Sequence, residues 1–259
     1  MDNNKDNTTY YKDLVGKHVF ITGGASGIGA QMVSDFAAQG AKVGFIDIDE
    51  ECASVLCNQI KKDGYIEPWF RKVDVTNVKE LQSSIDDATS ELGSLYVLIN
   101  NVANDTRHSP EELTEESWRG LLAVNLDPVF FASQAAYPSM KKEGRGSILN
   151  IGSISALLGQ PDYPAYVTAK AGIMGLTRSL AREYGQSKVR VNTIMPGWVV
   201  TKRQDELWRT PEVIEEWEKN VALKDDLLPS DVSKLALFLA SSDSRMMTAQ
   251  EFVVDAGRI

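Results

Sequence analysis

Tyr166 and Lys170 stand four residues apart in the segment Tyr-Pro-Ala-Tyr-Val-Thr-Ala-Lys, residues 163–170. On a helix, this spacing places the two side chains on the same face, one above the other. A neighbouring ammonium group favours the ionised form of a phenol, so the pair could supply a general base near neutral pH. Such pairs are common, and an exposed helix face is the more ordinary explanation. The interpretation therefore depends on the elements that position the pair.

The composition limits the classes of protein to consider. Of 259 residues, 43% are hydrophobic and 24% charged, as in soluble globular proteins. The net charge of −9 argues against nucleic acid or an anionic membrane as a partner. No apolar run approaches about 18 residues and no secretory leader is recognisable, so we expect a cytoplasmic protein.

Cysteine and histidine are scarce in this chain. Cys52 and Cys57 fall in a polar helical segment and form no disulfide framework. His18 and His108 do not combine with them at any recognisable zinc-ligand spacing. The sequence therefore predicts no metal site.

Apolar, strand-like segments alternate with helical segments along the chain. Strands are predicted at 17–22, 42–47, up to 74, 95–99, 147–151, 189–194 and 251–254. Helices are predicted up to 39 and at about 49–63, 77–92, 111–142 with an interruption at Pro128, 163–184 and 230–241. This alternation predicts an α/β fold, with a doubly wound, Rossmann-type parallel sheet between two layers of helices.

Two segments depart from the alternation. Residues 1–12 are polar and lack periodicity, so we expect a flexible N-terminal tail followed by a single domain over 13–259. Residues 198–228 are polar and rich in Trp, and we interpret them as a substrate lid.

Gly23, Gly27 and Gly29 stand where the first strand meets the first helix. Glycines there allow a tight turn, close approach to a pyrophosphate and close helix–sheet packing. The spacing Gly-x-x-x-Gly-x-Gly is not the commoner dinucleotide form, and alone it is explained about as well by a structural turn.

Asp47 ends the second strand, 18 residues after Gly29. A carboxylate there can accept both hydroxyls of an adenosine ribose and repels a 2′-phosphate. No Lys or Arg occurs at 24–26 or 48–51 to attract that phosphate. The pattern favours NAD over NADP, with a helix-capping Asp as the alternative.

Together with Tyr166 and Lys170, these signals make the chain resemble the short-chain dehydrogenase/reductase family over nearly its full length. Thr22-Gly-Gly-Ala-Ser-Gly-Ile-Gly29 matches its glycine turn, and Ser153 precedes Tyr166 by 13 residues, as the family's catalytic serine does. Asn100-Asn-Val-Ala103 stands at the family's Asn-Asn-Ala-Gly position, with Val102 and Ala103 departing from it. The remaining matches are Asp74-Val75, Asn125, Pro196-Gly197, Val199 and Thr201.

The resemblance implies a function for each matching residue. Tyr166 would be the base that accepts a hydroxyl proton while hydride passes to NAD, and Lys170 would lower its pKa and hold the nicotinamide ribose. Ser153 would donate a hydrogen bond to the substrate oxygen, and Asn125 would hold a water that links Lys170 to solvent. The implied cofactor contacts are Gly23, Ser26, Gly27, Ile28, Gly29, Asp47, Asp74, Val75, Asn100, Tyr166, Lys170, Pro196, Val199 and Thr201.

The expected substrate loops, residues 104–108 and 198–208, are polar. Four short segments resemble bacterial aldose 1-dehydrogenases of the D-xylose type within the family: Asn104-Asp105 with Arg107-His108, Thr201-Lys-Arg-Gln204, Thr210-Pro-Glu212 and Asp255-Ala-Gly257. This resemblance implies oxidation of C1 of a sugar to the lactone. An acidic or sulfonated sugar stays open, and a solvated lid is the alternative explanation for any single polar residue. The proposed substrate contacts are Asn104, Arg107, Ser153, Trp198 and Arg203.

Other classes of protein remain to be distinguished. A 3-oxoacyl or keto-sugar reductase would keep the same catalytic residues. A non-enzymatic nucleotide sensor would typically lose the residue at Tyr166 or Lys170. A purely structural α/β domain would leave four residues unexplained, namely Asn125, Ser153, Tyr166 and Lys170. By resemblance, we also expect a homotetramer formed through the helices at 111–142 and 163–184 and the C-terminal strand.

Overall fold

A computed structural model describes residues 9–259, and its centre is a sheet of seven parallel strands. The strands are β1 (His18–Thr22), β2 (Lys42–Asp47), β3 (Trp69–Lys72), β4 (Leu95–Asn100), β5 (Gly146–Ile151), β6 (Val189–Pro196) and β7 (Glu251–Val254). Across the sheet their order is β3-β2-β1-β4-β5-β6-β7.

Helices follow the strands along the chain. They are α1 (Gly27–Ala38), α2 (Glu50–Lys62), α3 (Val78–Leu92), α4 (Glu115–Asn125), α5 (Asp127–Glu143), α6 (Ser155–Leu158), α7 (Pro164–Tyr184), α8 (Lys202–Leu207), α9 (Pro211–Asn220) and α10 (Pro229–Ala240). The strand and helix alternation predicted from the sequence is confirmed outside the lid segment.

Successive residues of each strand face opposite layers of the molecule. In β1, Ile21 belongs to the same buried cluster as Phe36 of α1, whereas Phe20 belongs to the cluster that contains Ile85 of α3. Every residue of β1 is buried, as expected for a parallel sheet covered on both faces. The doubly wound, three-layer α/β/α fold is therefore confirmed.

The strand order reverses beside β1. The strands β2 and β3 lie on one side of it, and β4 to β7 lie on the other. Ligands of such sheets bind outside the carboxyl ends of the strands at this switch point. Thr22, Asp47 and Asn100 end the three neighbouring strands there, so the fold gathers the predicted motifs at one edge.

The break predicted at Pro128 falls at Leu126, between α4 and α5. Pro128 lies in the first turn of α5, where its missing N–H leaves no helical hydrogen bond unmade. The long segment 111–142 is therefore two helices, and Asn125 lies at the junction between them.

The lid segment, residues 198–228, contains two helices that its polar composition did not predict, α8 and α9. Their N-caps are Thr201 and Thr210, whose side chains accept hydrogen bonds from the main-chain N–H groups of Gln204 and Val213. Neither helix contains a buried residue. Packing on the core therefore contributes little to holding them in place.

The chain before β1 contacts the body of the protein. Gln39 accepts a hydrogen bond from the Tyr11 N–H at 2.7 Å and donates to the Thr9 carbonyl at 3.1 Å. The first eight residues of the predicted tail lie outside the described residues. Within residues 9–259, no helix has both the length and the apolar character needed to cross a bilayer.

Candidate active site

A cavity of about 710 Å³ opens at the carboxyl ends of the strands, and the glycine turn lines one end of it. Gly23 and Gly27 have φ angles of +70° and +54°, in the left-handed region that favours glycine. A Cβ on Gly29 would lie 1.9 Å from the Gly23 carbonyl oxygen, so no other residue fits there. The turn leads into the N-terminus of α1, whose first N–H groups can bind phosphate. These residues fit the pyrophosphate of a dinucleotide.

Two carboxylates line the cavity beyond this turn. Asp47 is held by the main-chain N–H groups of Ala25, at 2.9 Å from Oδ2, and Asp49, at 3.1 Å from Oδ1. Asp74 accepts two hydrogen bonds from Thr76 on the same oxygen, Oδ1. Both carboxylates keep unused lone pairs, so they can accept further hydrogen bonds from the hydroxyl and amino groups of an adenosine.

Asn100 is one of the predicted cofactor contacts, and in this structure its side chain points away from the cavity. The Asn100 amide is buried and donates to Asn150 Oδ1 at 2.8 Å, within the interior. The next residue, Asn101, lines the cavity instead and donates to the carbonyls of Thr22 and Gly23, at 3.2 and 2.9 Å. The two side chains separate in this way because adjacent residues at a strand end point in opposite directions.

Tyr166 and Lys170 lie in the first two turns of α7 and line the cavity. Lys170 is 1% exposed, and its Nζ donates to the Ile151 carbonyl at 2.7 Å and lies 5.5 Å from the centre of the Tyr166 ring. His108 Nε2 accepts a hydrogen bond from the Ala165 N–H at 3.4 Å. The loop after β4 therefore contacts the start of the helix that carries the catalytic pair.

Burial favours the neutral forms of both members of this pair. It raises the pKa of Tyr166 well above its usual value; a hydrogen bond from Ser153 opposes this rise, and the charge of Asp105 adds to it. Burial lowers the pKa of Lys170 to about 8, and Asp105 opposes that shift. Lys170 was predicted to lower the pKa of Tyr166, but in this structure burial is the larger effect. A base function for Tyr166 therefore needs added positive charge, which an oxidised nicotinamide carries.

Asn125 is buried at the end of α4. Its Oδ1 accepts from the Asn104 N–H at 2.8 Å, and its Nδ2 donates to the carbonyls of Asn104 and Leu121 at 3.0 and 2.9 Å. Both amide protons are used, so the side chain could hold a water only through Oδ1. In this structure, the side chain fixes the loop that carries Asn104.

Asp105 connects this loop to the lid segment. Its Oδ1 accepts from the Arg203 guanidinium at 3.2 Å, and its Oδ2 accepts from Gln204 Nε2 at 2.8 Å. Gln204 Oε1 accepts from the Trp198 indole N–H at 2.9 Å, and the Trp198 ring packs edge-on against Trp217. The part of the cavity between the loop after β4 and the lid segment, called the substrate end below, is therefore held together by polar and aromatic side chains.

Arg107 lies in the same loop and lines the cavity beside Tyr163 and Trp208. Its guanidinium carbon lies 3.7 Å from the centre of the Tyr163 ring and 5.1 Å from that of Trp208. Among residues 9–259, no carboxylate forms an ion pair with Arg107. It lines the same cavity as Tyr166, and its positive charge favours a lower pKa of Tyr166. Its N–H groups are therefore available to a polar substrate.

The cavity gathers most of the predicted residues, although Asn125, Gly29 and Asn100 do not line it. The predicted cofactor residues that line it are Gly23, Ser26, Gly27, Ile28, Asp47, Asp74, Val75, Tyr166, Lys170, Pro196, Val199 and Thr201. The predicted substrate residues that line it are Asn104, Arg107, Ser153, Trp198 and Arg203.

Several further lining residues were not assigned a function from the sequence: Asp105, Ser155, Tyr163, Trp217 and Arg258. Ser155 lies two residues after Ser153, and Tyr163 lies three before Tyr166, so short-range spacing could have indicated both. Trp217 and Arg258 are distant in the chain from every motif, and no local signal points to them.

A Rossmann-type sheet with a glycine turn at its switch point, and with Ser153, Tyr166 and Lys170 around one cavity, defines an oxidoreductase of the short-chain dehydrogenase/reductase family. The chain belongs to this family, and the family model that matches residues 23–258 is described as Enoyl-(Acyl carrier protein) reductase.

Relatives with named activities extend over nearly the whole chain. The chain is 46% identical to the "Probable galactose dehydrogenase GalD" of Rhizobium meliloti, covering 96% of this chain and 98% of the relative. It is 42% identical to the D-xylose 1-dehydrogenase of Caulobacter vibrioides, covering 95% and 97%. A short-chain type dehydrogenase/reductase from Mycobacterium ulcerans has a similar structure, with a TM-score of 0.90, 25% identity and coverage of 96% and 91%.

Proposed function

We propose that this protein oxidises a hydroxyl group of a polar, sugar-like substrate with NAD as the acceptor, and that the hydroxyl is at C1 of an aldose, giving the lactone. The observation that carries this proposal is the polar substrate end of the cavity, where Asn104, Asp105 and Arg107 face the catalytic pair. These groups suit a ring with several hydroxyls better than a steroid or an acyl chain. The names of the relatives, a galactose and a D-xylose dehydrogenase, support the same class of substrate.

The chain's own residues would handle the hydroxyl proton. Tyr166 accepts it, because the phenol lies in the cavity beside Ser153 and Lys170. Ser153 donates a hydrogen bond to the substrate oxygen, where charge develops in the transition state. An anomeric hydroxyl is more acidic than an ordinary alcohol, which suits a phenolate base. NAD, when bound, supplies the acceptor for the hydride that leaves the carbinol carbon.

Asp47 supports NAD rather than NADP as that cofactor. Its carboxylate is fixed by two main-chain N–H groups and lines the adenosine end of the cavity. A fixed negative charge there accepts ribose hydroxyls and repels a 2′-phosphate. No basic residue occurs at 24–26 or 48–51 to offset that repulsion.

A substrate panel tests the proposal most directly. NADH formation would be followed with aldoses, uronic acids, sugar sulfonates, steroid alcohols and, in the reverse direction, 3-oxoacyl thioesters. We expect the fastest reaction with an aldose, and lactone as the product by mass spectrometry. Activity with 3-oxoacyl thioesters, together with no detectable NADH formation from any sugar, would contradict the proposal and favour a reductase.

The same assay tests the proposed base. Tyr166→Phe should lower kcat by about 10²–10⁴-fold, because a proton acceptor is lost. NADH affinity should stay close to that of the wild type, since the ring is retained. Near-normal kcat in this variant would remove Tyr166 from the mechanism.

Assembly and location stay expectations. A homotetramer through the helices at 111–142 and 163–184, now α4, α5 and α7, and through β7 would have about four times the chain mass of 28.5 kDa, which light scattering can measure. A cytoplasmic location is expected from the composition alone.

A further inference from the structure

A row of hydroxyl groups leads away from the catalytic serine. Ser153 Oγ donates to Ser155 Oγ at 2.9 Å, and Ser155 Oγ lies 2.8 Å from the Tyr163 hydroxyl. The Ser155 N–H also donates to Ser153 Oγ at 3.2 Å. Ser155 is 6% exposed and Tyr163 is 4% exposed, so both hydroxyls are largely shielded from water.

Ser155 competes with the cavity for the Ser153 proton. A hydroxyl has one proton, so Ser153 can donate to Ser155, 2.9 Å away, or into the cavity, but not to both at once. To donate to a substrate oxygen, Ser153 must turn its proton the other way. Its oxygen can then accept from Ser155, and the oxygen of Ser155 can accept from Tyr163. Each hydroxyl rotates about its C–O bond, and no covalent bond forms or breaks.

Tyr163 suits the far end of such a row. Its O–H can act as donor or acceptor at 2.8 Å from Ser155, and a phenol is a stronger acid than an alcohol. The Arg107 guanidinium lies 3.7 Å from the centre of its ring, and a cation there strengthens the phenol as a donor. Gln160 offers Ser155 only a weaker alternative acceptor, at 3.5 Å.

We propose that Ser155 and Tyr163 are positioning residues that direct the Ser153 hydroxyl, so that during the reaction its proton points into the cavity, where the substrate oxygen and Tyr166 lie, rather than toward Ser155. The inference deepens the proposed function, because it rests on Tyr166 as the base. The Tyr163 ring stacks on the Tyr166 ring, with 5.1 Å between their centres, and Tyr163→Phe retains that contact, so the variant tests the hydroxyl alone. The effect of both positioning residues reaches Tyr166 through Ser153, whose hydrogen bond favours the phenolate.

The test is the pH dependence of turnover in Ser155→Ala and Tyr163→Phe, measured with saturating NAD and the fastest compound of the panel. We expect kcat to fall by about tenfold in Ser155→Ala, or about 1.4 kcal/mol in activation free energy. In the plot of kcat against pH, one limb reports the ionisation of Tyr166. This limb should move to higher pH by about 0.5–1 unit in both variants, because one fewer hydrogen-bond donor supports the phenolate. The limb moves the same way for a keto reduction, so the test survives failure of the sugar proposal.

Two further variants separate positioning from packing. Ser155→Thr keeps the hydroxyl and should restore the wild-type limb. Tyr137→Phe is the matched control. The Tyr137 hydroxyl lies 3.0 Å from the Ser187 hydroxyl, away from the cavity, so its removal should leave the limb unchanged. A spectroscopic titration checks this independently. The phenolate absorption of the NAD-saturated protein is followed against pH, and the signal of Tyr166 is obtained by subtracting the titration of the same variant that also carries Tyr166→Phe. The pKa obtained in this way should shift as the kinetic limb does.

Several results would overturn this inference. A raised KM with unchanged kcat and limb would make Ser155 and Tyr163 substrate contacts only. An unchanged limb in Tyr163→Phe, which keeps the ring and its contact with Arg107, would exclude the positioning function even if Ser155→Ala folds poorly. If Tyr166→Phe is inactive while these limbs do not move, only this inference fails. If Tyr166→Phe keeps normal turnover, the proposed function fails.

Discussion

The two ends of the cavity are built in different ways. At the cofactor end, the glycine turn and the ends of β1, β2 and β4 form the walls, and main-chain groups make most of the hydrogen bonds. At the substrate end, α8 and α9 are held by side chains, through Asp105 with Arg203 and through Glu216 with Arg258. The cofactor end therefore depends on the conformation of the backbone. The substrate end depends on side-chain contacts, which single substitutions can change.

This difference has a consequence for specificity. Substitutions in α8 or α9 disturb no buried residue, so they can change the substrate without loss of the fold. A substitution in the turn alters the backbone that receives the cofactor. The comparison therefore predicts steep losses at one end and graded changes at the other.

The largest expected effect is at Gly29. In Gly29→Ala the added methyl would lie 1.9 Å from the Gly23 oxygen and 2.7 Å from Asn101 Nδ2, which forces the backbone to move. NADH affinity, measured by fluorescence titration, should fall by more than about 100-fold, in the range expected for severe overpacking.

Gly185→Ala is the matched control, because Gly185 has φ −59° and a methyl there would meet nothing within 4 Å. It should bind NADH normally and keep or slightly raise the melting temperature. Tight NADH binding by folded Gly29→Ala would show that the cofactor end is less constrained than its geometry indicates.

The cofactor end was the part most open to prediction from the sequence. Its signals are local: a glycine triplet between a strand and a helix, and Asp47 at the next strand end. Parallel strands carry such signals to the same edge of the sheet, so order along the chain fixes proximity in space. At Asn100 the strand end was placed correctly, but the inward direction of its side chain does not follow from that placement.

The second expected effect is at Asp47. In Asp47→Asn the charge is lost, while one oxygen remains for the ribose and for the turn. NADH affinity should fall by about 10-fold or more, the range for a hydrogen bond to a charged group. The ratio of NADH to NADPH affinity should fall further, because repulsion of the 2′-phosphate is also removed.

Asp49→Asn serves as the control two residues away. Asp49 is the N-cap of α2 and accepts from the Cys52 N–H at 2.9 Å, and Asn is nearly as good in that position. Neither the affinity nor the cofactor ratio should change in this variant. A ratio unaffected by Asp47→Asn would contradict the assignment of NAD to this carboxylate.

The substrate end was harder to predict because its contacts join distant parts of the chain. Asp105 meets Arg203 and Gln204 across nearly 100 residues, and Arg258 meets Glu216 from the C-terminus. Nothing in local periodicity reports such pairs. Arg107 was singled out as a donor, but its stacking on Tyr163 depends on how the loop after β4 meets α7.

The smallest expected effect is at this substrate end. Arg203 is more than half exposed, so its ion pair with Asp105 is worth about 0.2–1 kcal/mol. In Asp105→Asn the KM for the sugar should rise by about two- to five-fold with little change in kcat, since the lid segment loses an ion pair and keeps its aromatic contacts.

The pH profile of Asp105→Asn has a defined sign. The charge of Asp105 raises the pKa of Tyr166, so its removal lowers that pKa, and the limb that reports the phenolate should move to lower pH. This direction is opposite to that expected for Ser155→Ala. Asp205 lies in α8 and its carboxylate pairs with Arg209 in the connection between α8 and α9, so Asp205→Asn should shift neither KM nor the limb. A loss of NADH affinity in Asp105→Asn as large as that in Gly29→Ala would mean that the lid segment and the glycine turn act as one structure, and the distinction between the two ends of the cavity would fail.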